Sequence, residues 1–248
     1  MGLKLRRFVS YKSIVFWTAL ILAAVLIFGA ANLNAFLAVN KPVGRGVLVV
    51  EAWIPTRSLA EAARIFNSGH YRWLVAVGGP VGGAEPSSDE PQTYPELAAQ
   101  RLDKLGFDTS KLVRISVPVE PAGYRTLSSA AAVAQWANRP GNVTCCVDVF
   151  TLGTHARKSW VFFRHALGDH CRVGIIAGSE SPAAQNRSWR YFIHSARYHL
   201  PNLVGYVYAK LWVFVHPNVV TLPAYCVREM TQAGREARGG ALSPEGLP

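Results

Sequence analysis

Gly46-Val47-Leu48-Val49-Val50-Glu51 is a continuous apolar, β-branched run closed by a carboxylate. A strand with one wet face alternates apolar and polar residues, whereas an unbroken run marks a strand covered on both faces, as in a parallel sheet. Downstream, Leu59, Ala62, Ala63 and Phe66 fall at helical spacing after Thr56 or Ser58, with Gly69 as a stop. Trp73-Leu74-Val75-Ala76-Val77 is a second such run and ends at Gly78-Gly79-Pro80. The rhythm then repeats. Thr93-Tyr94-Pro95-Glu96 has the spacing of a capping box and opens a helix running to Gly106. Strands are expected at 112–117, 147–152 and 172–177, with helices over 126–136 and 154–168 between them. Strand and helix alternating at this spacing give βαβ units with right-handed crossovers. The expected fold class is α/β: a Rossmann-like, doubly wound, mostly parallel five-stranded sheet with helices on both faces, preceded by one transmembrane helix.

The N-terminus supplies that last element. Over Ile14 to Ala31 the only polar side chain is Thr18, and such a run rises ~27 Å as a helix, close to the thickness of a bilayer core. Lys4, Arg6, Arg7 and Lys12 precede it, and basic residues beside a span stay on the cytoplasmic side. A cleaved signal peptide is the competing reading, but the apolar centre exceeds the usual ~7–15 residues and no clean A-x-A site follows. The expected division is a cytoplasmic basic N-terminus at 1–13, a transmembrane helix at 14–38 and a linker at 39–46. An α/β domain at 47–217, including a C-terminal apolar helix, and an extension at 218–248 with a disordered tail complete it. The topology expected is single-pass, with the domain on the extracytoplasmic side of the membrane. Leu200 to Val215 is apolar and aromatic but short for a span, with Pro201 at its start and Lys210 inside. It is expected to pack on the domain or lie at the membrane surface.

The net charge is +11, yet Lys and Arg are scattered without a basic, aromatic-interleaved stripe, so no nucleic-acid partner is expected. Cys145, Cys146, Cys171 and Cys226 lack metal-ligand spacing, so no metal site is expected; paired and unpaired thiols both remain open. No G-x-S-x-G, Walker, HExxH or DxD pattern occurs. Val81 to Gln92 is rich in Gly, Pro, Ser and acidic residues and reads as an exposed loop, a candidate lid. The cofactor and the oligomeric state are left open.

In an open parallel sheet ligands bind beyond the carboxyl ends of the strands. That selects Glu51 after the first strand, Gly78 and Gly79 after the second, and Gly153-Thr154-His155-Ala156-Arg157-Lys158-Ser159 after the fourth. Glu96, Arg125 and Thr126 lie at helix starts on the same side. A helix N-terminus attracts anions through free N–H groups and its dipole, whereas cations there are mildly unfavourable. Arg157 and Lys158 in that first turn therefore point to a bound phosphate or carboxylate, or else to a solvated basic turn. Candidate catalytic groups are His155 as acid/base, with Glu51 or Glu96 as the carboxylate. Candidate ligand-binding residues are Gly78, Gly79, Arg125, Thr126, Thr154, Arg157, Lys158 and Ser159.

These pieces, in this order from Val47 to Ala177, resemble the YdcF/SanA/ElyC family of bacterial envelope proteins. The resemblance rests on Val-Val-Glu51-Ala-Trp-Ile-Pro, Val77-Gly78-Gly79, the helix carrying Glu96, Arg125-Thr126, and Thr154-His155-Ala156-Arg157-Lys158-Ser159. It implies a Rossmann-like domain behind one helix in the bacterial inner membrane and a role in peptidoglycan or polysaccharide maintenance. The departures are Glu51-Ala52-Trp53 where many members have a glycine-rich turn, Ser128-Ser129 in place of Glu-Asn, and Lys158 in place of arginine. The expected partners are the lipid bilayer, through residues 14–38, and an anionic envelope small molecule, glycan or lipid-linked precursor. The alternatives are a non-enzymatic envelope regulator or scaffold and, more weakly, nucleotide or S-adenosylmethionine binding.

Overall fold

The computed structural model describes residues 11–82, 91–118, 124–142, 144–179 and 189–217, without the side chains of 12, 23, 25–27, 30, 31 and 189–198. The basic residues Lys4, Arg6 and Arg7, most of the candidate lid and the extension at 218–248 lie outside the described residues.

In chain order the elements are α1 (Tyr11–Leu37), β1 (Arg45–Glu51), α2 (Thr56–Ser68), β2 (His70–Gly78), α3 (Tyr94–Lys104) and β3 (Leu112–Ser116). They continue with α4 (Arg125–Ala137), β4 (Cys146–Leu152), α5 (Ala156–Leu167), β5 (Arg172–Gly178) and α6 (Trp189–Val215). The five strands form one sheet of order β3-β2-β1-β4-β5, every neighbouring pair parallel. The architecture is Rossmann-like α/β, as the continuous apolar runs predict.

Period-two alternation within β1 sends its side chains into two cores. Val47 and Val49 join one with α4, α5 and Ala209 of α6. Leu48 and Val50 join the other with α2 and α3. All four are 2% exposed or less, which is why the strand has no polar position before Glu51. Cys145 and Cys171 are buried in the first core.

Asp148 is the exception inside β4: it is fully buried, and its carboxylate accepts from Val43 N and Gly44 N at 2.7 Å each and from Tyr71 Oη at 2.8 Å. These bonds clamp the segment after α1 against the N-terminal edge of the sheet. Lys41 adds a two-way backbone bridge to Ile175. Burial and the neighbouring carboxylate raise the Tyr71 phenol well above its usual pKa. A side chain at Gly174 would meet Asp148 Oδ1 at 1.9 Å, so only glycine admits the clamp there.

Two elements differ from expectation. No helix among the described residues is long and apolar enough to cross a membrane, so the span expected over 14–38 is not shown; α1 is nonetheless one continuous helix of 27 residues. The C-terminal helix starts at Trp189 and carries Pro201 inside it. Pro201 forfeits one intrahelical bond, while tertiary packing of Tyr208, Ala209, Trp212 and Val213 on the first core favours the helix.

Candidate functional site

The sheet order reverses between β1 and β4, so the chain leaves these neighbours toward opposite faces and a crevice opens beyond their carboxyl ends. A cavity of about 630 Å³ occupies that position. Glu51, Trp53, Gly79, Arg125, His155 and Lys158 are among its lining residues.

Glu51 ends β1 with its side chain 3% exposed. Its Oε2 accepts from Ser159 Oγ at 2.9 Å and lies 3.7 Å from His155 Nε2. His155 belongs to a 3₁₀ turn that passes directly into α5. Its Nε2 also lies 3.4 Å from Thr126 Oγ1 at the start of α4. Trp53 packs its ring edge-on against the imidazole at 5.2 Å. From α6, Asn202 donates to Thr154 Oγ1 at 2.9 Å and bonds His155 as well.

Burial is the largest influence on the imidazole and lowers its pKa below the usual 6.5; Glu51 pulls upward and Lys158 downward. Burial thus favours the neutral imidazole over the imidazolium. Lys158 is lowered by burial, with Glu51 opposing. With His155 neutral, Arg125 and Lys158 against Glu51 leave the lining one net positive charge. A buried carboxylate beside a neutral imidazole suits general-base chemistry, and the two cations suit an anionic group held next to it.

The sequence candidates fall into three groups. Glu51, Gly78, Gly79, Arg125, Thr126, His155 and Lys158 meet at the cavity. Thr154 and Ser159 are buried behind it, bonded to Asn202 and Glu51. Glu96 and Arg157 are engaged elsewhere. Glu96 Oε2 accepts from Gln92 N and Thr93 N at 2.9 and 3.1 Å, closing the capping box of α3. Arg157 donates to the Phe36 carbonyl at the end of α1, and its guanidinium lies 4.0 Å from the Phe36 ring centroid and 5.9 Å from that of Tyr206. The cations of this turn thus already have internal reasons to be there: Lys158 faces Glu51, and Arg157 ties α5 to α1 and α6.

Neither Gly78 nor Gly79 has a positive φ, so the pair is not a left-handed turn. At Gly78 a methyl group would meet Tyr94 Cβ at 3.2 Å, whereas at Gly79 nothing stands closer than 3.8 Å. Gly78 thus lets the start of α3 approach β2, and Gly79 leaves space beside Val117 and Pro118. Gly78→Ala is expected to lose about 1 kcal/mol and Gly79→Ala close to none, read as denaturant midpoints.

Trp53, Ser129 and Asn202 are site residues outside the sequence candidates. Trp53 and Ser129 stand at positions noted only as departures from the family pattern, and nothing local marks Asn202. Among the described residues no group of three or more His, Cys, Asp or Glu side chains could hold a metal ion. No protein-family model matches the chain, and no curated protein matches it.

Proposed function

We propose that the chain is a membrane-anchored protein of the bacterial cell envelope, akin to the YdcF/SanA/ElyC proteins. Its crevice binds or processes a phosphorylated or otherwise anionic glycan or lipid-linked precursor. The observation that carries this reading is the Glu51–His155–Lys158 cluster at the sheet's switch point: a proton acceptor and a cation side by side in one cavity. The walls fit the rest of such a ligand, since Trp53, Tyr94, Val117 and Pro118 offer apolar and aromatic surface to a sugar face or prenyl chain.

The anchor reading rests on the sequence, where Ile14 to Ala31 carries Thr18 as its only polar side chain, and that run lies within the continuous helix α1. Its 27 residues rise ~40 Å, and Phe16, Trp17, Ile21 and Phe28 are among the large apolar side chains it exposes. Thr18 and Asn32 turn their polar groups back to the Ile14 and Phe28 carbonyls, each at 2.8 Å, which suits a helix in lipid. An outward-facing domain would meet envelope polymers and stand apart from cytoplasmic nucleotides.

The test is binding of a short-chain prenyl diphosphate sugar, and separately of inorganic diphosphate, to the full chain in detergent. Arg125→Ala with Lys158→Ala is expected to weaken the sugar ligand by about 100-fold, at ~1–2 kcal/mol per lost charge-assisted bond. Arg157→Ala is expected to leave it unchanged. Equal affinity in the wild type and the Arg125/Lys158 variant would sink the anion reading.

A further inference from the structure

The helix α6 is apolar on two opposite sides. The inner side, with Tyr208, Ala209, Trp212 and Val213, packs on the first core. The outer side carries Leu200, Val204, Val207, Leu211, Phe214 and Val215, all exposed, with Leu211 at 60% and Phe214 at 83%. At 100° per residue these six fall within one stripe about 100° wide, running ~24 Å along the helix. Water-facing helix surfaces are normally polar, and contiguous apolar stripes mark a missing partner.

We propose that this outer face of α6 lies on the surface of the lipid bilayer, so that the domain rests on the membrane through α6 as well as being tethered by α1. The inference rests on the membrane reading of α1 given above. Phe36, at the domain end of α1, packs edge-on against Tyr206 in the middle of α6, ring centroids 5.5 Å apart, and Arg157 lies over both rings. Where α1 leaves the hydrocarbon, α6 is therefore alongside, at the level of the headgroups.

The exposed side chains of α1 and of α6 belong to touching helices, and one partner, a bilayer, covers both. A second copy seated on α6 would leave the apolar face of α1 in water. Lys210 is the only charged residue from Leu200 to Val215; exposed at the flank of the stripe, its long stem allows the ammonium to reach lipid phosphates. A helix pair in water would carry charges along both flanks of such a seam.

The arrangement also deepens the reading of the crevice. The inner side of α6 supplies Asn202 to Thr154 and sets Gly205 against Lys158, whose Cδ lies 3.0 Å from a Cβ position there. One helix thus separates the cluster from the membrane surface, about 10 Å away. The substrate class that fits is an amphipathic anion, with its apolar chain left in the bilayer and its charged head raised into the crevice.

The test uses the full chain reconstituted in phosphatidylethanolamine and phosphatidylglycerol vesicles containing radiolabelled phosphatidylglycerol. Benzoylphenylalanine is placed singly at Phe16 on α1, at Val207 and Leu211 on the outer face of α6, and at Arg64, an exposed position on α2. Lipid adducts are expected at Phe16, Val207 and Leu211 at about tenfold the yield at Arg64. Adducts at Phe16 with only background at Val207 and Leu211 would overturn this proposal and leave the anchor standing. Background at Phe16 would overturn the anchor and the proposal with it. Adducts of twice the protein mass at Val207 or Leu211 would assign the stripe to a second copy and overturn the bilayer contact. Val207 and Leu211 are exposed, so substitution leaves the core intact, which an unchanged circular dichroism melt verifies.

Discussion

Asp148→Ala is expected to lower the unfolding free energy by about 4 kcal/mol, measured by urea denaturation of the full chain in detergent. The carboxylate receives three hydrogen bonds in a fully buried position. Bonds to a charged acceptor contribute ~1.5–3 kcal/mol each, and donors stranded by its loss incur a further desolvation cost. Asp148→Asn keeps the shape but turns an amide NH₂ toward N–H or O–H donors, so it is expected to fall between wild type and alanine. Tyr71→Phe removes one of the three bonds and costs about 1–2 kcal/mol. It also changes the alkaline limb of the stability curve. The Tyr71 phenol is raised above its ordinary 10.0 in the folded chain, so the unfolded chain loses this proton first as pH rises. The folded state then binds more protons, and stability falls above that value. Tyr71→Phe should flatten that fall. An unchanged urea midpoint in Asp148→Ala would show that the clamp contributes nothing.

The second large effect is expected at Glu51. Glu51→Ala strands the Ser159 hydroxyl and leaves Lys158 without its nearest carboxylate, a loss of about 2–3 kcal/mol. Glu51→Gln keeps an acceptor for Ser159 and removes only the charge. In both variants the His155 pKa should drop further, because burial and Lys158 lower it and the larger of the two opposing influences, Glu51 ahead of the Asn202 hydrogen bond, is lost. Histidine Cε1–H shifts followed against pH read this directly. A His155 pKa that rises in Glu51→Gln would contradict the cluster geometry.

The sign for stability follows from the same shift. His155 titrates below its usual 6.5 when folded, so as pH falls past 6.5 the unfolded chain takes up this proton first and the folded state loses ground. Glu51 and Lys158 are the charged groups beside the imidazole, with Thr126 and Asn202 as polar neighbours from α4 and α6. His155→Gln should therefore make the melting temperature less sensitive to acid over that window.

The sheet was legible because its inner strands β2, β1 and β4 are covered on both faces, a condition that writes unbroken runs such as Val47 to Val50 into the sequence. The capping box at Thr93 and Glu96 was legible for a different reason: both bonds close within four residues. The end of β1 and the turn after β4 could be placed at one mouth of the sheet from connectivity alone, and Glu51 and His155 do meet there. What could not be read depends on contacts distant in sequence. Arg157 has its partner 121 positions away at Phe36, and Asn202 reaches Thr154 across 48. Asp148 is a single polar residue in an apolar strand, and nothing local shows that Val43, Gly44 and Tyr71 converge on it. The length of α6 was missed because Pro201 suggests a start, whereas the packed inner face of the helix outweighs one missing bond.

The Asp148 clamp and the Lys41 bridge also fix distance. Only residues 38–44 separate α1 from β1, and that segment is bonded to β4, β5 and Tyr71. Under the membrane reading proposed for α1, a domain held so close would not sweep the space above the bilayer as one on a long, loose linker would. Under that reading its crevice would stay at one height and one tilt, and it would meet its ligands by sideways travel within the lipid plane, a search in two dimensions.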